Sequence, residues 1–160
     1  MSCVTWCNYD GTVIPDKTDP DAVLCVWSIG LATFSAWYIN ELLGTLEGDA
    51  PVLPTQLYTA LHSTASTKTA AGTELSGNGY ARVPITFERV SDIQRWNVSD
   101  VIHPNASADW DDILSFTIWD DANPGGGNYY AFGNTSSALS IVTGKTVKFP
   151  ANTVIAGIGT

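Results

Sequence analysis

Positive charge is scarce in this sequence. Seven Lys and Arg stand against sixteen Asp and Glu, giving a formal net charge of −9 and a pI near 4.3. No basic stripe exists to displace counterions from phosphates, which argues against a nucleic-acid partner and equally against an anionic membrane surface. Charged residues of both signs reach only 14% of the chain, and a surface rich in Ser, Thr, Asn and Gly suits a protein partly covered by other protein. Cysteine is also sparse: Cys3, Cys7 and Cys25 all fall near the N-terminus. Three is no disulfide framework, and with no histidine nearby a zinc site would need a distant ligand. Cys3 and Cys7 could pair, or all three are structural or free thiols. Long apolar runs are missing as well. The longest, A-V-L-C-V-W-S-I-G-L-A (residues 22–32), is too short to cross a bilayer and reads as a buried arm, strand or interface segment. The N-terminus lacks the basic n-region of a signal peptide, so synthesis in a cytoplasm is expected. Without secretion, the N-x-S/T triplets at Asn97, Asn105 and Asn134 carry little weight.

What is present describes one folded domain. The 160 residues are 44% hydrophobic, enough for a single sizeable core. Residues 1–32 read as an N-terminal arm, extended and turn-rich at Asp10-Gly11, Pro15 and Pro20, and a polar arm of that kind needs something to hold it. Residues 33–160 read as a helix followed by a β-sandwich. Thr33 or Ser35 can cap the helix; Phe34, Trp37, Tyr38, Ile39, Leu42, Leu43 and Leu46 recur at three- and four-residue spacing; Gly44 or Gly48 ends it. Beyond Pro54 the pattern is β-structure, with strands expected over 56–62, 80–87, 95–102, 113–119, 128–133, 138–142, 146–149 and 154–158. Pro84 places its strand at an edge or bulge, and a long polar loop occupies 63–79. The fold class expected is mainly β: a sandwich or jelly-roll-like domain with one N-terminal helix and an extended arm.

Catalytic and ligand-binding patterns are weak. No G-x-S-x-G elbow occurs. His62, beside Ser63 at a strand end, can be read as activating a hydroxyl or as a packing residue. The acids Asp109, Asp111, Asp112, Asp120 and Asp121 can be read as paired carboxylates, calcium ligands or turn residues bonding their own backbone. In W-D-D-A-N-P-G-G-G-N-Y-Y-A-F-G (119–133) the triple glycine lacks the Lys-Ser/Thr of a phosphate loop and sits among acids. It reads as a hairpin loop in which Gly125 to Gly127 supply positive φ. Six Trp, six Tyr and five Phe raise a glycan-binding module, with Tyr129 and Tyr130 as its stacking rings, against core or interface use. No catalytic residue, metal or cofactor is expected.

The order of segments resembles small structural virion proteins of tailed bacteriophages, of the tail-fibre, minor-capsid or decoration type. The resemblance rests on the helix F-S-A-W-Y-I-N-E-L-L-G, then L-Y-T-A-L-H with its polar loop and E-L-S-G-N-G-Y-A-R-V-P-I-T-F. It continues through D-D-A-N-P-G-G-G-N, Y-Y-A-F-G and T-G-K-T-V-K-F-P-A-N-T-V, covering roughly residues 34–159. Its most specific element is L-S-G-N-G-Y-A-R, where Gly77, Gly79, Tyr80 and Arg82 combine a tight turn with an entering strand. The resemblance implies a β-sandwich or jelly-roll-like virion component without a catalytic site. The first expectation is a capsid cement or decoration protein, a homotrimer assembled in the bacterial cytoplasm and bound to the major capsid protein or other virion proteins. A tail, baseplate or fibre-adaptor component is the alternative, and a glycan-binding module is the reading from another class. The expected interface residues are Trp6, Tyr9, Val13 and Ile14 in the arm, with Val26, Trp27 and Ile29 beyond it. Deleting residues 1–21 should therefore lower the occupancy of the protein on purified particles; unchanged occupancy removes the arm from the interface.

Overall fold

The computed structural model describes residues 3–7, 23–27 and 29–157, with side chains from Thr33 onward. Twelve strands and one α-helix follow in the order β1 (Cys3–Cys7), β2 (Val23–Trp27), β3 (Ile29–Phe34), α1 (Ala36–Gly44), β4 (Leu57–His62), β5 (Val83–Ile85) and β6 (Phe87–Arg89). They continue with β7 (Gln94–Asn97), β8 (Val101–Ile102), β9 (Ile113–Trp119), β10 (Tyr129–Leu139), β11 (Val147–Phe149) and β12 (Val154–Gly157). The fold is mainly β, as the sequence pattern predicts. A four-stranded sheet has the order β1-β2-β11-β8, and an eight-stranded sheet the order β5-β4-β9-β10-β3-β12-β7-β6.

The two edge strands of the larger sheet, β5 and β6, are consecutive in the chain and separated by Thr86 alone. Two residues of chain span at most about 7 Å, so the sheet must coil until its edges meet. One bent segment, residues 83–89, pairs by its first half with β4 and by its second half with β7. Pro84, which has no N–H for a ladder, sits in β5 at that edge, where the sequence expects it. This arrangement leaves little open edge to template aggregation.

The arm contributes strands of its own. β1 and β2 form an antiparallel pair, and β2 runs parallel to β11. β3 crosses residue 32, the limit of the arm in the sequence reading, and lies between β10 and β12. Cys3 and Cys7 bound one extended strand, which sets their Cα atoms about 13 Å apart and out of disulfide reach.

The core lies between the sheets. Leu61 of β4 and Phe116 of β9 meet Val147 and Phe149 of β11 and Val101 of β8, all nearly fully buried. The Phe116 and Phe149 rings are 5.6 Å apart. Several strand boundaries differ from the sequence pattern: the expected strand 80–87 is β5 and β6, and 138–142 forms no strand of its own. The 95–102 segment splits into β7 and β8, because Asn97 turns its side chain inward. Its Nδ2 donates to the carbonyls of Ser99 (2.9 Å) and Pro150 (2.8 Å), and its Oδ1 accepts from the N–H groups of Thr153 (3.0 Å) and Val154 (2.8 Å). Full use of one amide's capacity makes Asn97 the pin of the P-A-N-T-V turn and removes it as a glycan acceptor. Strand β10 continues through polar Asn134–Ser137 to Leu139, beyond the expected stop at 133, whereas Ile141 is buried outside any strand.

Two histidines are sealed in this interior. His103 bonds the Ala81 carbonyl through Nδ1 and the Thr59 hydroxyl through Nε2, each at 3.2 Å. His62 meets the Thr117 hydroxyl at 2.6 Å through Nε2, while its Nδ1 makes no hydrogen bond. Burial holds both rings down to a pKa of about 4. At His62 this effect prevails although the Glu74 carboxylate and the Gly72 carbonyl pull the other way. An unfolded chain protonates both near the ordinary 6.5 while the folded one refuses them. Stability is thus complete above about pH 6.5 and falls as pH drops toward 4, by roughly 1.4 kcal/mol per pH unit for each ring. Urea unfolding between pH 7.5 and 4 should show this decline well above the carboxylate range. The His62→Gln variant should show a shallower one, and an unchanged slope in that variant contradicts the assignment.

Candidate functional site

The most specific sequence element closes on the glycine loop through one side chain. Arg82, fully buried, forms a two-pronged pair with Glu74: Nε to Oε1 and Nη2 to Oε2, both 2.8 Å. Its Nη1 donates to the carbonyls of Asp121 (2.8 Å) and Gly126 (3.1 Å), and the guanidinium lies 4.2 Å from the centre of the Trp119 ring. Planar, forked and permanently charged, arginine is suited to meet a carboxylate, two carbonyls and an aromatic face together. Burial pushes the Glu74 carboxyl up, but the Arg82 bonds and charge and the Tyr80 hydroxyl outweigh it and hold the pKa below its usual value.

The L-S-G-N-G-Y-A-R turn supplies the geometry. Asn78, with φ of 49°, lies between Gly77 and Gly79, both at positive φ. A side chain at Gly79 would also sit 3.0 Å from the Asn105 carbonyl. The Asn78 carbonyl accepts from the Trp110 indole at 2.9 Å. Tyr80 turns inward, its hydroxyl donating to Glu74 Oε1 and accepting from the Leu61 N–H, both at 3.0 Å. The polar loop 63–79 is ordered by its hydroxyls and by Asn134, whose amide bonds both the N–H (2.9 Å) and the carbonyl (3.0 Å) of Ser66. Asn134 thus acts as a structural clamp.

The acids around the glycine loop are turn residues. Asp120 accepts from the N–H (2.6 Å) and side-chain amide (3.1 Å) of Asn128, and Asp121 accepts from Asn123. Asp109 accepts from the N–H and hydroxyl of Thr143, and Asp112 from the Ser140 hydroxyl. Gly125 and Gly127 have positive φ, as expected, but Gly126 does not. Its hydrogen matters for space, since a Cβ there would approach Asp121 Oδ2 to 2.7 Å. Among the described residues no group of His, Cys, Asp and Glu is arranged to hold a metal. His62 is bonded to Thr117 rather than to Ser63. Of the two rings proposed to stack on sugars, Tyr130 is buried at 5% exposure against Trp37 and Tyr38. Tyr129 is half-buried between Trp119 and Phe132, its hydroxyl donated to the Thr67 carbonyl.

The expected interface residues fall in two groups. Trp6 pairs in register with Leu24, Val26 with Val4, Trp27 with Cys3, and Ile29 with Val154. Tyr9, Val13 and Ile14 lie outside the described residues. The exposed apolar surface visible in the structure is elsewhere. Ser35 caps α1, its hydroxyl accepting from the Tyr38 N–H at 3.1 Å and donating to the Tyr129 carbonyl. Phe34, Trp37 and Tyr38 then pack on the core. The periodicity that predicts the helix places Leu42, Leu43 and Leu46 on its apolar stripe, yet no residue of α1 is fully buried, and Leu46 and Leu53 are 83% and 79% exposed. Sequence periodicity detected the stripe but not which part of it the body covers. It also missed Glu74, whose only signal is a lone acid across a glycine turn from a lone arginine.

Residues 33–157, which hold α1 and the strands β4 to β12, match the model of the family described as Podophage GP4 fiber I protein gp80. The chain belongs to this family. It is therefore a structural protein of the tailed-phage virion, of a fibre type. No curated protein matches the chain. In this fibre-family chain Arg82 is a structural keystone. Arg82→Met should destabilise by up to about 3–5 kcal/mol, because it leaves a partly buried Glu74 carboxylate without its partner, and should expose the 121–127 loop to protease. The double variant Arg82→Met/Glu74→Leu should recover part of the loss in urea unfolding; a double variant no better than the single one argues against the unpaired carboxylate as the cause.

Proposed function

We propose that the protein is a non-enzymatic subunit of the tail-fibre apparatus, assembled in the host cytoplasm and held in the particle by repeated protein contacts. The observation that supports this reading is the family match across α1 and the strands β4 to β12. The geometry agrees with a structural role. The chemically distinctive groups, Arg82, Glu74, His103, Asn97 and Asp120, are committed to bonds within the chain, whereas leucines stand in solvent. The family description favours the tail over the capsid-decoration role that the sequence first suggests. The glycan-binding reading is weakened by the burial of Tyr130. The proposed mechanism is mechanical: a rigid β-body presents an apolar face, and repetition of modest contacts supplies avidity.

Decorating purified particles with an antibody fragment against this chain, followed by imaging, tests the assignment. Label confined to the tail or its fibres is the expected result. Label spread over the shell restores the capsid-cement reading, and particles without label remove the virion role.

A further inference from the structure

Between Lys17 and Lys68 the chain has no lysine or arginine, while Glu41, Glu47 and Asp49 fall in and just after α1. The leucine face lies on this same stretch. Leu43, Leu46, Val52 and Leu53 are all more than half exposed. In the same stretch of chain Glu41, Gly44 and Asp49 line a polar hollow of about 320 Å³. The stretch therefore carries exposed apolar and acidic groups together, and Arg95 lies on its other flank, where it lines a separate hollow with Leu42 and Asp92. Trp37 and Tyr38 anchor α1 through ring contacts to Tyr130 at 5.1 and 4.9 Å, and Gly48 ends the following turn at φ of 96°.

We infer that this face receives a basic, apolar segment of a different virion protein, with aliphatic side chains against Leu43, Leu46 and Leu53 and a lysine or arginine in the Glu41–Asp49 hollow. The inference rests on the structural-subunit reading and adds the chemistry of the partner. Charge decides against a second copy docked face to face. Such a pair would bring two sets of Glu41, Glu47 and Asp49 together as apolar surface excludes water, and like charges at an interface select against a partner. A basic rim removes that repulsion and speeds encounter with a chain of net charge −9. Exposed apolar patches rimmed by polar groups are a recurring mark of protein interfaces.

Two variants of the full chain, Leu43→Glu/Leu46→Glu and Glu41→Lys/Asp49→Lys, test this; Leu43, Leu46 and Asp49 are exposed and Glu41 partly so, and an unchanged melting temperature shows that each variant stays folded. The probes are two synthetic amphipathic helices with identical leucines, one rimmed by lysine and one by glutamate. The lysine helix should bind wild type, weaken with added salt, and lose binding to both variants; the glutamate helix should not bind. Both variants should also be depleted from purified particles. Undiminished binding of the lysine helix to the Glu41→Lys/Asp49→Lys variant overturns the inference. So does an isolated wild-type protein that is oligomeric and becomes monomeric in the leucine variant, because the face then belongs to a second copy. Absence of wild type from particles would instead sink the virion reading, and the peptide titration would still decide the chemistry of the face.

Discussion

The guanidinium of Arg82 ties together three stretches that lie far apart in the chain: the end of the polar loop at Glu74, the strand-entering turn before Tyr80, and the glycine loop between β9 and β10. It is buried, so its charge is tolerable only because a carboxylate, two carbonyls and an indole face surround it. Each of those partners depends on something else. Glu74 is placed by the bridge that pairs it with His62; the carbonyls of Asp121 and Gly126 are presented by a turn that needs glycine at 127, where φ is 77° and a Cβ would come within 2.6 Å of the Asp121 Cβ. The aromatic face is that of Trp119, the last residue of β9. The same residue pairs in register with both Tyr58 and Tyr129, so the arginine also fixes the end of the central three strands. Buried polar networks of this kind are costly when incomplete and specifying when complete, which fits a body that must hold one shape.

Much of this architecture is legible in the sequence. Strand β9 reads as I-L-S-F-T-I-W bounded by acids on both sides, and the structure gives the same bounds. Ser35 announces the helix, and Pro84 announces an edge. Three features were not legible, each for a physical reason. The polar half of β10 lacks apolar alternation because most of its side chains there face solvent. The closure of the larger sheet cannot be read locally, because β5 and β6 look like one strand and differ only in which neighbour they meet. The pairing of Glu74 with Arg82 follows from the turn geometry at Gly77–Gly79, which neither residue reveals alone. At the candidate interface the sequence indicated Trp6, Val26 and their neighbours, whereas the exposed leucines of α1 were hidden within a pattern that ordinarily means burial.

The helix illustrates how one amphipathic pattern serves two partners. Its first turn is anchored by Ser35 and by aromatic contacts of Trp37 and Tyr38 with Tyr130. The later turn continues the apolar stripe into solvent at Leu43 and Leu46, and leucine is a good helix former there whether or not it is covered. A leucine left in water forgoes roughly 1.5–3 kcal/mol of burial, so the stretch from Leu43 to Leu53 is the part of the described surface with most to gain from a partner.

Such a face is a hazard before assembly, and the acids in the same stretch answer it. Leucine side chains alone would find one another between copies of the chain, since the hydrophobic effect is non-directional. Glu41, Glu47 and Asp49, set among those leucines with no lysine or arginine between Lys17 and Lys68, make the like-with-like encounter repulsive and keep the face hydrated. The overall charge of −9 extends that protection to the whole molecule. The arrangement discriminates by charge what it attracts by area: the apolar surface supplies the driving force for any partner, and the acidic rim limits productive contact to one that brings positive charge.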